Sequence, residues 1–483
     1  MNALIRCLGQ AGISSPAEQF VTLGSLTPFL NGSSYLSVYR KILMQNVESV
    51  TNYCYPPETQ QVLTQLLQEP SMLGKPIQWQ SLALQRLDRL VSLFPERSLQ
   101  SLNTAVLSSR WVLQIFSEEN KWVTSPLGAA CVQSESPAQR AAHTLRRRTL
   151  LRRSLIAQPS LRTSLPAPDC RTLRGVTASV WGTDILMKMS SIDFMDCLED
   201  IGQDPDITSK ELTSLMSRVL QISGPVSEIP PLMIARLGRL STKLSESQLQ
   251  QVLLADMQVM EALGREKEWT TKQLQILAQG FLRSNSLSVQ DLDGVHLATL
   301  GHALCGLRSE DMEQLHAYEF CSAVLYLGSL PLQCTEQQLF ILTRLCAHSD
   351  VFGPVSQWTE DIFREMGSVA AGLQDIELSS LVLEQIQGLS PLAVSLMPPK
   401  KFAVSFSALQ LRMFSWSQAM GVTNQQWKLL DQEQQKSLNV ILTGEENGTQ
   451  DYRAGMSYAG HCSPCPLLFY CSLLLALCVI FLS

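Results

Sequence analysis

The sequence predicts an all-α fold: a superhelical array of short helical repeats (an α-solenoid), interrupted by a disordered arginine-rich insert and closed by a hydrophobic C-terminal tail. Three observations lead there. First, a Ser or Thr is repeatedly followed three residues later by Gln or Glu and then by apolar residues at helical spacing. The pairs are Thr208 with Glu211, Ser245 with Gln248, Thr270 with Gln273, Thr335 with Gln338 and Thr423 with Gln426. Each is a capping box, in which the hydroxyl accepts from the N3 amide while the Gln or Glu accepts from the N–H of the cap. Second, helix starts recur every 18 to 26 residues, a period that suits a helix of about 12 residues and a short loop. One such unit cannot bury its apolar stripe alone, whereas stacked units can; an irregular helical bundle is the alternative. Third, between Gln139 and Gly175 nine arginines stand against a single acid, Asp169.

Residues 1–123 read as an N-terminal helical-repeat region. Ser15-Pro16-Ala17-Glu18 places a cap, a proline at N1 and an acid at N3 in order, a strong helix start. Pro57-Glu58-Thr59 opens a second helix, and Leu84, Leu87, Leu90, Val91 and Phe94 keep helical spacing until Pro95. Residues 124–176 read as a disordered linker, because like charges at that density repel and cannot share a core. A nucleic-acid or nuclear-localisation patch, a processing site and a splice insertion or gene-model error compete as its use, and the last is preferred.

Residues 177–446 read as the C-terminal helical-repeat domain. After the Thr270 cap, Leu274, Leu277, Ala278 and Phe281 form one apolar stripe. After the Ser245 cap, Leu249, Val252, Leu253, Met257 and Met260 are expected to do the same up to Gly264. Ser288, Ser309 and Ser390 are simpler starts.

Residues 447–466 read as a stalk and spacer, and 467–483 as a disposable tail. Leu467–Leu482 is 16 residues with one hydroxyl break at Ser472, roughly 24 Å as a helix and short for a ~30 Å hydrocarbon core. Small residues, an uncharged spacer and a terminal apolar run match a glycosylphosphatidylinositol (GPI) signal, with Gly455 or Ser457 as attachment site. A tail-anchored helix and a buried helix are the alternatives. Asn31 and Asn447 stand in N-glycosylation sequons. The first twenty residues lack a continuous apolar segment and a cleavage site, so they are not read as a secretory signal; an N-terminally incomplete or alternatively spliced product is expected.

A net charge of −6 over 483 residues argues against a nucleic-acid partner. Of 13 cysteines, four lie in the tail region. Cys305, Cys321, Cys334 and Cys346 have the spacing for one or two disulfides, or equally for buried apolar cysteines. The six histidines show no zinc-type pairing. Cys462-Ser463-Pro464-Cys465 has no second pair, and Asp291-Leu292-Asp293-Gly294 lacks the remaining ligands of a calcium loop. No phosphate-binding loop or nucleophile elbow occurs. No enzyme activity, cofactor, metal or small-molecule substrate is expected.

The stretches IPPLMIARLGRLSTKLSESQLQQV, ALCGLRSEDMEQL and DIFREMGSVAAGLQDIELSSLVLEQIQGLSPLAVSLMPP, with the GPI-like terminus, resemble the mesothelin, stereocilin and otoancorin family, most of all the C-terminal part of otoancorin. The resemblance covers Ile229 to about Leu442 and rests on the Leu-Ser/Thr-x-x-Gln/Asp-Leu cadence seen at Leu244–Leu249 and Leu287–Leu292. It implies a non-enzymatic, GPI-anchored surface glycoprotein that attaches cells to extracellular matrix glycoproteins, for otoancorin-like proteins the acellular gel of the inner ear. The rival expectation is a cytosolic helical-repeat scaffold, tail-anchored to an internal membrane.

Overall fold

The computed structural model describes residues 15–29, 38–43, 47–133, 135–156 and 167–443. Among them every regular element is an α- or 3-10 helix, and no strand occurs. All five capping boxes form with both reciprocal hydrogen bonds. The Ser15 start forms as well, over Pro16–Leu23.

Three of the four glutamines in these boxes, Gln273, Gln338 and Gln426, also join one turn of the superhelix to the next. Gln426 accepts from the Thr423 amide at 2.7 Å through Oε1. Its Nε2 donates to the carbonyls of Val394 at 2.7 Å and Met397 at 2.9 Å, 32 and 29 residues earlier. Gln273, Gln338, Gln385, Gln410, Gln418 and Gln434 make the same paired bridge, to carbonyls 27 to 33 residues back. Each turn therefore takes about 30 residues. The acceptors lie at the C-terminal ends of short helices, where carbonyls lack intrahelical partners. Glutamine suits the position because it carries both a donor and an acceptor; a carboxylate only accepts. Glu211 accordingly closes its box on Thr208 and meets the Arg148 guanidinium at 2.9 Å instead.

The helices are shorter than the sequence period suggests. From Ser407 onward a cap recurs every eight residues (Ser407, Ser415, Thr423, Asp431), opening Ala408–Arg412, Trp416–Gly421, Asn424–Trp427 and Gln432–Thr443. The single stripe expected after Ser245 is two helices, Glu246–Leu249 and Met257–Gly264. Asp256 accepts from the Gln258 and Val259 amides and starts the second, leaving Leu253 exposed between them. The Thr270 stripe is buried as expected over Thr271–Ser284.

A longer repeat is superimposed on the turns. Gly24, Asp88, Gly238, Gly301 and Gly367 each open a six-residue 3-10 helix with φ between 47° and 52°. Consecutive openings lie 64, 150, 63 and 66 residues apart, so the unit is two turns long. Gly301–Gly306 and Gly367–Gly372 are buried throughout and form a spine between neighbouring helices. A Cβ at Gly301 would lie 2.4 Å from the Gly264 carbonyl oxygen, which together with the positive φ leaves glycine the fitting residue. Fourteen residues before Asp88, Gly238 and Gly367 stand Gly74, Gly224 and Gly353, also at positive φ. A proline and a 3-10 turn follow each. Trp79 and Trp358 then return their indole N–H to the Gly74 and Gly353 carbonyls, both at 2.9 Å.

The arginine-rich segment departs from the sequence reading. In place of a disordered linker over 124–176, its described residues form Pro126–Gln133, Pro137–Ile156 and Cys170–Gly175. Pro137–Ile156 falls in the 150-residue interval and buries Leu150, Leu151 and Leu155 against Glu96–Gln100 and Ser109–Val123. Its arginines meet acids from elsewhere: Arg147 with Glu119 at 3.1 Å, Arg148 with Glu211, Arg152 with Asp184 at 2.5 Å and Arg140 with Asp206 at 3.9 Å. Repulsion counted inside the segment omitted these partners, and the long arginine stems cover apolar surface while their heads reach the carboxylates.

Candidate functional site

The most heavily charged buried cluster lies where the arginine helix crosses Ser109–Val123. Glu119 is 2% exposed and takes Arg147 Nε at 3.1 Å on one oxygen and His143 Nε2 at 3.1 Å on the other. Burial pushes its pKa up, but Arg147, His143 and Arg89 outweigh that and bring it down to about 2. Arg89 lies 3.5 Å over the Trp122 ring and donates to the Tyr53 carbonyl at 2.7 Å. These contacts tie three elements together; no serine or cysteine nucleophile faces the cluster in these interactions.

His302 sits in the buried spine, 1% exposed, with neither ring nitrogen hydrogen-bonded. Burial, helped by Lys267, lowers its pKa to about 4, so it is neutral at pH 7. Glu266, beside Lys267 in sequence, is raised by burial to about 6.

The eight cysteines among the described residues are paired. Cys305 joins Cys334 and Cys321 joins Cys346, and two pairs that sequence spacing did not single out, Cys54 with Cys131 and Cys170 with Cys197, form as well. Cys54 and Cys131 are 77 residues apart, too far for spacing to suggest a partner. Among the described residues no group of His, Cys, Asp and Glu is arranged to hold a metal ion. The calcium-like run resolves into capping: Asp291 closes a box on Ser288, and Asp293 accepts from the His296 amide. Cys7, Asn31, Asn447, Gly455, Ser457, Cys462, Cys465 and the Leu467–Leu482 run lie outside the described residues. Among the described residues no helix is long and apolar enough to cross a membrane.

What the fold offers is surface. Leu82, Leu232 and Val295 occupy the second position of equivalent helices (Ser81–Leu87, Pro231–Ala235, Gly294–Leu300) and are each about two-thirds exposed. Ile376 and Leu409 recur 33 residues apart at the second position of Asp375–Ser379 and Ala408–Arg412, also exposed. An open groove of about 780 Å³ runs between Met257–Gly264, Gly294–Leu300 and Ala317–Ser329, lined by Glu261, Asp293, Val295, Glu319 and Tyr326. Repetition of the turns places like residues at regular intervals, an arrangement suited to an extended partner. Period-based reading had located the buried stripes but not these rows, because an exposed leucine at N2 breaks no helical pattern.

No family model matches the chain. It is 34% identical to human stereocilin over 421 residues, covering 87% of this chain and 23% of stereocilin, and mouse stereocilin matches with the same figures. Mouse otoancorin is 29% identical over 264 residues, 55% of this chain and 23% of otoancorin. The chain thus spans less than a quarter of the length of the curated relatives it matches. The family resemblance holds for both relatives; stereocilin matches more of the chain, and at higher identity, than otoancorin.

Proposed function

Since this chain belongs to the stereocilin and otoancorin family, we propose that it acts as a cell-surface glycoprotein that attaches cells to extracellular matrix glycoproteins, in the inner ear to an acellular gel. The role is adhesive rather than catalytic. In its mature form it is held to the outer leaflet of the plasma membrane by a GPI anchor at Gly455 or Ser457 and carries glycans at Asn31 and Asn447. The observation that carries the extracellular part of this reading is the pairing of eight cysteines in four disulfides, a pattern that persists in oxidising compartments and is rare in the cytosol. It also weighs against a cytosolic tail-anchored scaffold. The solenoid supports the adhesive part: repeated exposed positions offer many weak contacts to a polymer, and multivalency turns them into firm attachment.

The test is a reporter with its own signal peptide fused to residues from Gln450 onward, displayed on intact cells and treated with phosphatidylinositol-specific phospholipase C. Release into the medium is expected. Retention on the membrane with the tail epitope intact would mean a spanning helix and overturn the anchor.

A further inference from the structure

Six arginines stand on the helix Pro137–Ile156. Arg140, Arg147, Arg148 and Arg152 meet carboxylates, and Arg153 donates to the Leu102 carbonyl. Arg146 has no acceptor among the described residues, and its Nε is buried without a hydrogen bond. A guanidinium drawn out of water and left unpaired is costly unless something else supplies the acceptor. Arg146 faces a cavity of about 300 Å³ between the arginine helix and the start of the helix Pro57–Leu67, walled on one side by the Cys54–Cys131 disulfide.

Gln139, Ala142 and Arg146 reach the cavity from one face of that helix, at i, i+3 and i+7. Gln139 closes a capping box on Ser136, accepting from its amide at 2.6 Å through Oε1. Its Nε2, unlike those of Gln273 and Gln426, bridges to no earlier carbonyl among the described residues, which leaves it as a second donor at the cavity. Glu135 lies there as well. Its main-chain carbonyl takes Arg140 at 3.0 Å, while its carboxylate forms no hydrogen bond or ion pair among the described residues. Glu135 and Arg146 feel each other's charge without pairing, and burial is the larger effect on both, raising the carboxyl and lowering the guanidinium. Tyr55 and Phe29 supply apolar wall. The Tyr55 hydroxyl is engaged by the Val50 carbonyl at 2.7 Å, so the ring is what it offers, and Phe29 is 41% exposed.

We propose that this cavity binds a carboxylated sugar, with the ligand carboxylate held between the Arg146 guanidinium and the Gln139 amide. A guanidinium and a carboxylate match as two parallel hydrogen bonds, and the primary amide adds a further donor. Glu135 opposes a ligand that is only anionic. A pyranose offsets this through its hydroxyls, which donate to the Glu135 carboxylate, while its C–H face lies on an aromatic ring of the wall. The volume is at the small end for a ligand pocket and suits one sugar ring rather than a chain. Two sources share this chemistry, a terminal sialic acid of a glycoprotein and a uronic acid of a glycosaminoglycan. The site stands apart from the exposed rows of the solenoid and needs neither the anchor nor the adhesive reading. Under that reading it adds one charge-selective contact to many weak ones.

The test is a ligand-observed NMR titration of the full chain purified in detergent. The probes are the methyl α-glycoside of N-acetylneuraminic acid, methyl β-glucuronide and the uncharged methyl β-glucoside. Saturable binding of at least one acid at about 1 mM is expected, with the glucoside at least about 10-fold weaker. Binding of the sialoside alone assigns the glycoprotein source, and binding of the glucuronide alone the glycosaminoglycan source. Arg146→Met keeps an apolar stem and removes the charged head, and should weaken the acid about 10- to 100-fold while leaving the glucoside unchanged. Gln139→Glu keeps the cap acceptor and sets a carboxylate against that of the ligand, and should weaken the acid about 10-fold. Circular dichroism and intact disulfides check that each variant is folded, and the parent's choice between acid and neutral sugar decides the matter where one is not. The proposal is overturned if neither acid binds saturably, if the glucoside binds as tightly as the better acid, or if folded Arg146→Met binds that acid as the parent does. Tighter binding of glycine than of either acid would also overturn it, and would assign the cavity to zwitterions.

Discussion

Replacing Gln426 by Glu changes one atom type at a buried position and tests what holds the turns together. Gln426 is fully buried. Its Oε1 keeps the Thr423 amide in either residue, but its Nε2 becomes a carboxylate oxygen facing the Val394 and Met397 carbonyls at the present 2.7 and 2.9 Å. Two donor bonds worth about 1 kcal/mol each are lost, and an uncompensated buried charge raises the total to about 4 kcal/mol, a large part of a typical stability of 5–15 kcal/mol. Because coupling in a solenoid is between neighbouring turns, the defect should fall on residues 407–443 and leave the spine at Gly301–Gly306 protected. The introduced carboxyl would have a folded pKa above its unfolded value, so the deficit is smallest below about pH 4.3 and grows as pH rises through the folded value. Urea denaturation followed by circular dichroism at pH 4 and pH 7, with hydrogen exchange to localise the loss, reads both features. A Gln426→Glu chain within about 0.5 kcal/mol of the parent at pH 7, with unchanged exchange over 407–443, would refute the ladder as a stabilising device.

Other consequences can be measured on the same footing. Gly301→Ala should cost about 3 kcal/mol, from positive φ and the clash with the Gly264 carbonyl. Gly353→Ala, also at positive φ but 3.7 Å from its nearest neighbour, should cost about 1 kcal/mol; equal urea midpoints would contradict the close-packing argument. Glu119 has a folded pKa of about 2 against an ordinary 4.5. Its stabilisation is therefore complete above pH 4.5 and lost as pH falls through 2, about 3 kcal/mol in all, and Glu119→Gln should be less stable at pH 7 with a flatter acid limb. His302, lowered from 6.5 to about 4, is protonated in the unfolded chain first. Stability should fall by about 3 kcal/mol as pH drops from 6.5 to 4, and His302→Leu should remove that slope. Replacing Cys305 and Cys334 together by Ser opens a disulfide spanning 29 residues and should lower stability by about 3 kcal/mol. An unchanged melting temperature would mean that the pair is reduced in the purified protein.

The capping boxes were legible because they are local: hydroxyl, N3 amide and reciprocal side chain lie within four residues, and the same spacing produced the same geometry at Thr208, Ser245, Thr270, Thr335 and Thr423. The Thr270 stripe was legible for the same reason. The Ser245 stripe was misread because Asp256, a second cap within it, outcompetes helix continuation over Val252 and Leu253. The arginine helix was hidden because the charges that make it foldable, Glu119, Asp184, Asp206 and Glu211, lie outside the segment that looks disordered. Cysteine pairing is likewise a matter of distance in space: Cys170 and Cys197, 27 residues apart, are nearer in sequence than Cys305 and Cys334, 29 apart, yet only the four clustered from Cys305 to Cys346 were singled out.

The amino-acid sequence by itself determined that this chain is helical, where several of its capped helices begin and that they repeat, since caps and apolar periodicity act over one or two helical turns. Only the tertiary structure decided that the cap glutamines reach back about 30 residues to bind turn to turn, that a left-handed residue opens each buried 3-10 spine, and that the arginine helix is part of the core. A glutamine that caps its own helix and one that also bridges to another read identically in sequence. The difference lies in which carbonyls stand within 3 Å of its amide once the chain has coiled.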